Sequence, residues 1–289
     1  MTGFWKIALP ALAFCFAVGC GSSSDDISDE GLVKTSGTAS GGEVKLEEVK
    51  SDGTATITGT VTYDGTPPEM GVIPGINAVA YCMQGEIHNQ TWVVDPASKG
   101  VANVVVWVNP PKGQLFKKPE QKTWPDAVEV DQPFCAFVPH VVILYPTAFN
   151  GTKMEETGQV LRVKNGASIA HNIRVTGSPQ KNPARGGTLT PKSQGQDFNL
   201  RLEDKQEVSL NCDIHKWMTG YAITLDHPYA AVTDKDGKFT IKNVPAGADI
   251  AIMSWHEALK KFSPEVAGGT KVKLTKGETK DASFKIHAK

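Results

Sequence analysis

From Thr54 onward the chain is broken into short runs rich in Val, Thr and Ile, separated by Gly, Pro and Asp-Gly turn signals. No stretch of useful length places apolar residues at the helical period, so stacked sheets are the architecture open to such a chain. Ala55 to Tyr63 alternates as a strand and ends in the turn Asp64-Gly65. Further strands are expected at Asn103 to Val108, at one or two places within Val128 to Tyr145, at Gln159 to Asn165 and at Ile169 to Thr176. The series continues with Phe198 to Leu202, Glu207 to Asn211, Tyr221 to Leu225, Ala231 to Thr233, Lys238 to Ile241, Ile250 to Trp255, Lys271 to Leu274 and Ala282 to Ile286. Asn109 to Lys122 and Gly177 to Gln196 read as long irregular stretches. The fold class expected is all-β, a β-sandwich or a pair of them, and 289 residues are enough for one large or two modest domains.

The N-terminus follows different rules. Lys6 precedes an apolar run from Ile7 to Val18 that is too short to span a bilayer and reads as the core of a secretory signal. The run ends in Ala17-Val18-Gly19-Cys20, which resembles the lipobox of bacterial lipoproteins, although Ala17 stands where Leu is usual. That resemblance implies cleavage after Gly19, lipidation of Cys20, and anchoring of an exported protein to a bacterial membrane, in the periplasm or at the cell surface. A plain secretory signal is the other reading, and it too exports the chain. Residues 21–52 are rich in Ser, Gly, Asp and Glu and read as a polar tether. The formal net charge of −1 shows no electrostatic footprint for nucleic acid.

Export gives the cysteines meaning. With Cys15 in the signal and Cys20 lipidated, Cys82, Cys135 and Cys212 remain. In an oxidising compartment thiols pair, and an odd one needs another use. A Cys82–Cys135 disulfide with Cys212 kept as a metal thiolate is the economical expectation.

Cys212 begins the run Cys212-Asp213-Ile214-His215-Lys216-Trp217-Met218, a C-x-x-H-x-x-M spacing. For a chain of this composition that spacing has an expectation of only about 0.002 by chance. A thiolate, an imidazole and a thioether on one short loop form a donor set suited to copper, with the thioether as a weak axial partner. A second imidazole must come from elsewhere, and His171 supplies one at the start of the apolar strand Ile169 to Thr176. Taken singly, each of these residues is more often structural; spacing, order and cysteine parity together favour ligands.

Gln159 to Val175 and Glu207 to Leu225 resemble the two copper-bearing segments of cupredoxins. The pair His171-Asn172 and the C-x-x-H-x-x-M loop are most similar to those of amicyanin and plastocyanin-like members. The resemblance spans about Val128 to Asp226 and implies a Greek-key sandwich holding one copper ion. His171, Cys212 and His215 would be strong ligands, Met218 the axial ligand, and Asn172 a brace near the thiolate. It also implies an electron carrier with no catalytic residues, His215 on an exposed loop as the electron gate, and Trp217 helping to dock a redox partner protein.

Around this stretch, Thr58 to Gly65 with Asn103 to Val108, and Ala231 to Ile241 with Val244-Pro245-Ala246-Gly247, look like the two halves of a carboxypeptidase-regulatory-like, transthyretin-like sandwich. The expected organisation is therefore a signal over 1–19, lipidated Cys20 and linker over 20–52, the first part of that sandwich over 53–124, the copper domain over 125–226, and the second part over 227–289. Two clusters stand outside the scheme. Cys135 to His140 reads as a disulfide cysteine and a structural histidine, with a second metal site shared with His88 as the alternative. Trp255-His256-Glu257 reads as an interdomain contact. Beside electron transfer, a copper carrier or store without redox turnover and a metal-free adhesion scaffold remain the competing roles.

Overall fold

The structure is a computed structural model. It describes residues 47–71, 73–76, 79–84, 88–204, 206–259, 262–263 and 269–288. The signal, Cys20 and most of the tether lie outside them. Residues 47–49, at the end of the stretch read as tether, join the fold: Glu47–Glu48 pairs in parallel with Gln114–Leu115, and Val49 is buried.

No α-helix occurs among the described residues. The strands form two sandwiches. In one, a five-stranded sheet runs in the order Arg185–Leu189, His171–Thr176, Glu207–Asn211, Thr219–Thr224 and Val141–Leu144. All its pairings are antiparallel except the last. Its partner sheet is Ser193–Phe198, Val160–Asn165 and Ala127–Val130. Alternation decides which side chains meet between the sheets. Leu161 and Val163 point inward from one sheet, Ile173, Val175, Val208 and Leu210 from the other, and Arg162, Lys164 and Arg174 stay outside. Cys212 and Met218 belong to this same core.

The flanking sandwich takes strands from both sides of that block in sequence. One sheet orders Ala230–Val232, Val105–Asn109 and Asp249–Trp255, with Phe262–Ser263 and Thr270–Lys273 both paired to the last. The other sets Lys238–Ala246 against Gly53–Tyr63, with Thr279–Asp281 and Phe284–Ile286 on its far side. A third apolar cluster joins the two sandwiches: Val105, Trp107 and Trp255 of the flanking one meet Val141, Ile223 and Leu225 of the other.

Three expectations fail in detail. Asn109 to Lys122, read as irregular, holds the short strand Gln114–Leu115. Gly177 to Gln196 is not irregular, since it carries the strand Arg185–Leu189 and most of the strand Ser193–Phe198. Both strands are edges whose side chains mostly face solvent, so they need no apolar alternation to show in the sequence. Phe198 to Leu202 is not a strand, because Phe198 ends one instead.

Candidate metal centre

The first candidate ligand side chain is placed by a turn and a strand edge. Buried Asn165 ends the strand Val160–Asn165. Its Nδ2 donates to the carbonyls of Ile169, Leu189 and Thr190 at 2.9, 3.0 and 3.1 Å, and its Oδ1 accepts from the Ala167 amide at 3.0 Å. The turn so fixed delivers His171 as the first residue of its strand, fully buried. Nothing in the sequence pattern singled out Asn165, because its partners are backbone groups distant along the chain.

The loop after Asn211 supplies the rest. Its ends are tied together: the Cys212 amide donates to Met218 O at 3.3 Å, and the Met218 amide to His215 O at 2.8 Å. One ligand atom each from His171, Cys212 and His215 falls within 4.8 Å of the others. The two Nδ1 atoms of His171 and His215 face each other at 2.9 Å. Met218 is buried in the same core as Cys212.

Asn172 reaches across to this loop. Its Oδ1 accepts from the Cys212 thiol at 3.2 Å and from the Asp213 and Ile214 amides at 2.6 and 3.3 Å. Its Nδ2 donates to Asp213 Oδ2 at 2.8 Å, a carboxylate also held by Arg174 Nη2 at 2.9 Å. That guanidinium and the Asn172 amide hold the Asp213 carboxyl below its ordinary range. The His215 amide donates to Cys212 Sγ at 3.4 Å, a contact that favours the thiolate.

Electrostatics prepare the imidazoles as donors. Burial pushes His171 down to about 4, with a smaller contribution from the ring of His215 and an opposing one from Asp131. Burial also lowers His215. Both rings are therefore neutral at neutral pH and keep a nitrogen lone pair. Two such nitrogens facing each other at 2.9 Å need a shared proton or a cation between them. His171 Nε2 is buried without a hydrogen-bond partner, which leaves this ring loosely satisfied. Two neutral imidazoles, a thiol and a thioether fit a copper ion by the chemistry of the donor set.

The cysteines divide in the expected way. Cys82 and Cys135 form a disulfide, and among the described residues Cys212 is the free thiol. The disulfide also has an unforeseen position, for its sulfurs and a ring nitrogen of His215 lie within 4.8 Å of one another. Trp217 packs against His215 with ring centroids 5.2 Å apart and donates through Nε1 to Cys135 O at 3.3 Å. His215 is consequently not on display. It is only 6% exposed, whereas its loop neighbours Asp213, Ile214 and Lys216 face solvent. The exposed gate expected at His215 is thus corrected: a disulfide-tied segment from outside the ligand sheet covers it.

Among known proteins, no family model and no curated protein matches the chain. Solved structures similar to part of it include a purple cupredoxin from Nitrosopumilus maritimus, at 14% identity over 34% of this chain and 99% of that one, with a TM-score of 0.24. Amicyanin from Paracoccus versutus is another, at 15% identity over 41% of this chain and 97% of that one, with a TM-score of 0.27. A likeness at that level carries no functional weight.

Proposed function

We propose that the protein is an extracytoplasmic one-copper electron carrier, in which His171, Cys212 and His215 would hold the ion together with the thioether of Met218. The observation that carries this reading is the convergence, within 4.8 Å, of His171 at the start of its strand with Cys212 and His215 on the loop that ends in buried Met218. The chemistry copper would supply when held by such a donor set is one-electron transfer between Cu(I) and Cu(II). The chain's own residues do the rest. The His215 amide donates to the sulfur, Asn172 holds the loop through the Asp213 and Ile214 amides, Asn165 fixes the turn before His171, and the two sheets exclude water. With His215 covered, the proposed electron path to a redox partner protein runs through Trp217, half-buried at the loop surface.

The test is optical. Cu(II)-loaded protein is expected to show an intense visible thiolate-to-copper band, lost in Cys212→Ser and kept in Met218→Leu with a raised reduction potential. Absence of the band from the loaded wild type would sink the proposal. A carrier or storage role uses the same ligands and is told apart by ready transfer of copper to an apo-acceptor together with slow electron exchange.

The setting belongs to the same proposal. The ligand strands lie, in sequence, between the two sets of flanking strands, which supports reading the copper domain as an insertion in a transthyretin-like sandwich. Export and a lipid anchor at Cys20 complete it. Metabolic labelling with palmitate is expected in the wild type and not in Cys20→Ala; label retained in that variant overturns the anchor.

A further inference from the structure

A cavity of about 260 Å³ opens on the side of the ligand loop nearest the disulfide. His88, Cys135, His140, Trp217 and Met218 all line it, so one wall is shared with the proposed axial ligand. Cys135 is committed to the disulfide. The two histidines are not committed in the same way.

His140 is more than nine-tenths buried, and its Nε2 lies 2.7 Å from Oε1 of Glu257, itself buried, in the flanking sandwich. An ionised carboxylate only accepts hydrogen bonds, so this pairing sets the proton on Nε2 and leaves a lone pair on Nδ1. Nδ1 is buried and has no hydrogen-bond partner. A latch between the sandwiches requires only Nε2. Fixing one imidazole nitrogen on a carboxylate, so that the other keeps its lone pair, is how proteins orient histidine toward a metal. His88, exposed at the rim, offers the second imidazole.

We propose that His140, through Nδ1, and His88 form a second metal site, specific for Cu(I), in this cavity beside Met218. The selectivity follows from the lining. Among the described residues the lining holds no carboxylate, and Lys216 adds a positive charge that penalises a dication more than a monocation. Two imidazoles with a thioether nearby suit low-coordinate Cu(I), whereas Zn(II) seeks four ligands. The shared wall makes the site a port through which copper reaches the ligand loop. The existence of the site does not depend on redox turnover at Cys212; only its role as a port rests on the function proposed above.

The experiment is an anaerobic Cu(I) titration of the mature protein against a chromophoric Cu(I) chelator, with Zn(II) run in parallel. The wild type is expected to take two equivalents of Cu(I). His140→Gln keeps a donor toward Glu257 but has no Nδ1, and should take one. His88→Ala, on the exposed rim, should also take one and does not threaten the fold. Both variants should retain the visible Cu(II) band of the Cys212 site. A wild type that takes one equivalent, variants that still take two, or a cavity filled by Zn(II) in preference to Cu(I) each overturns the proposal. Loss of the visible band in the wild type counts instead against the electron-carrier reading, so the two failures are distinct.

Discussion

At the scale of single residues, the centre depends on how one amide is used. Asn172 Oδ1 gathers the Cys212 sulfur and two loop amides, while its Nδ2 holds Asp213. Asn172→Ala removes all of these at once and leaves two amides to find water. The expected loss is about 1–3 kcal/mol of stability, read as a lower thermal midpoint, together with a shifted visible band in the copper-loaded protein. Asn172 stood out in the sequence only through its place after His171. Asp131, which acts on the charge of His171, and Asp213, which completes the brace, did not stand out. Carboxylates separated from His171 and Asn172 by several strands of sequence give no local signal.

At the scale of elements, two features hold the ligand strand and its cover. The edge strand Arg185–Leu189 pairs along His171–Thr176, and Gly186 there comes so close that an added Cβ would lie 1.7 Å from Ile173 O. Gly186→Ala should therefore break the pairing beside His171, at a cost of about 1–3 kcal/mol by overpacking, seen as faster amide exchange across Ile173 and Arg174. The disulfide closes a loop with a sequence separation of 53 residues, for which chain entropy gives a contribution of about 4 kcal/mol. A Cys82→Ala/Cys135→Ala double variant should lose stability of that order in a denaturant titration, and its His215 should exchange copper faster once uncovered. Cysteine parity made the pairing legible. It carried no information on where the bridge lies, because position beside His215 depends on how two distant loops pack.

At the scale of the molecule, the sandwiches are coupled by apolar packing and by buried polar groups. Trp107 and Trp255 sit in the shared cluster, and Trp255 Nε1 donates to Glu207 Oε2 at 3.2 Å across the junction. Trp255→Ala should cost about 3–5 kcal/mol and divide a single calorimetric transition into two. The junction also sets a response to acid. Burial holds His256 down to about 4 from an ordinary 6.5, Glu257 opposing the shift and His140 adding to it. Unfolding then takes up a proton between those values, so stability falls as pH drops from about 6.5 to about 4, by on the order of 3 kcal/mol from this group. His256→Phe should flatten that limb of the stability-against-pH curve; an unchanged slope would assign it to other groups.

The sequence by itself carried the all-β class, the disulfide partners and the candidate donors His171, Cys212 and His215 that the fold brings together. These rest on local spacing, on alternation and on the parity of a few cysteines, all of which are written along the chain. Only the tertiary structure decided that the centre is covered and that its brace extends to Asp213. It also decided that Gly177 to Gln196 forms edge strands, and that His140 meets Glu257 from the other sandwich. Each of those depends on backbone groups or on residues far apart in sequence, and burial brings them together without any periodic pattern to announce it.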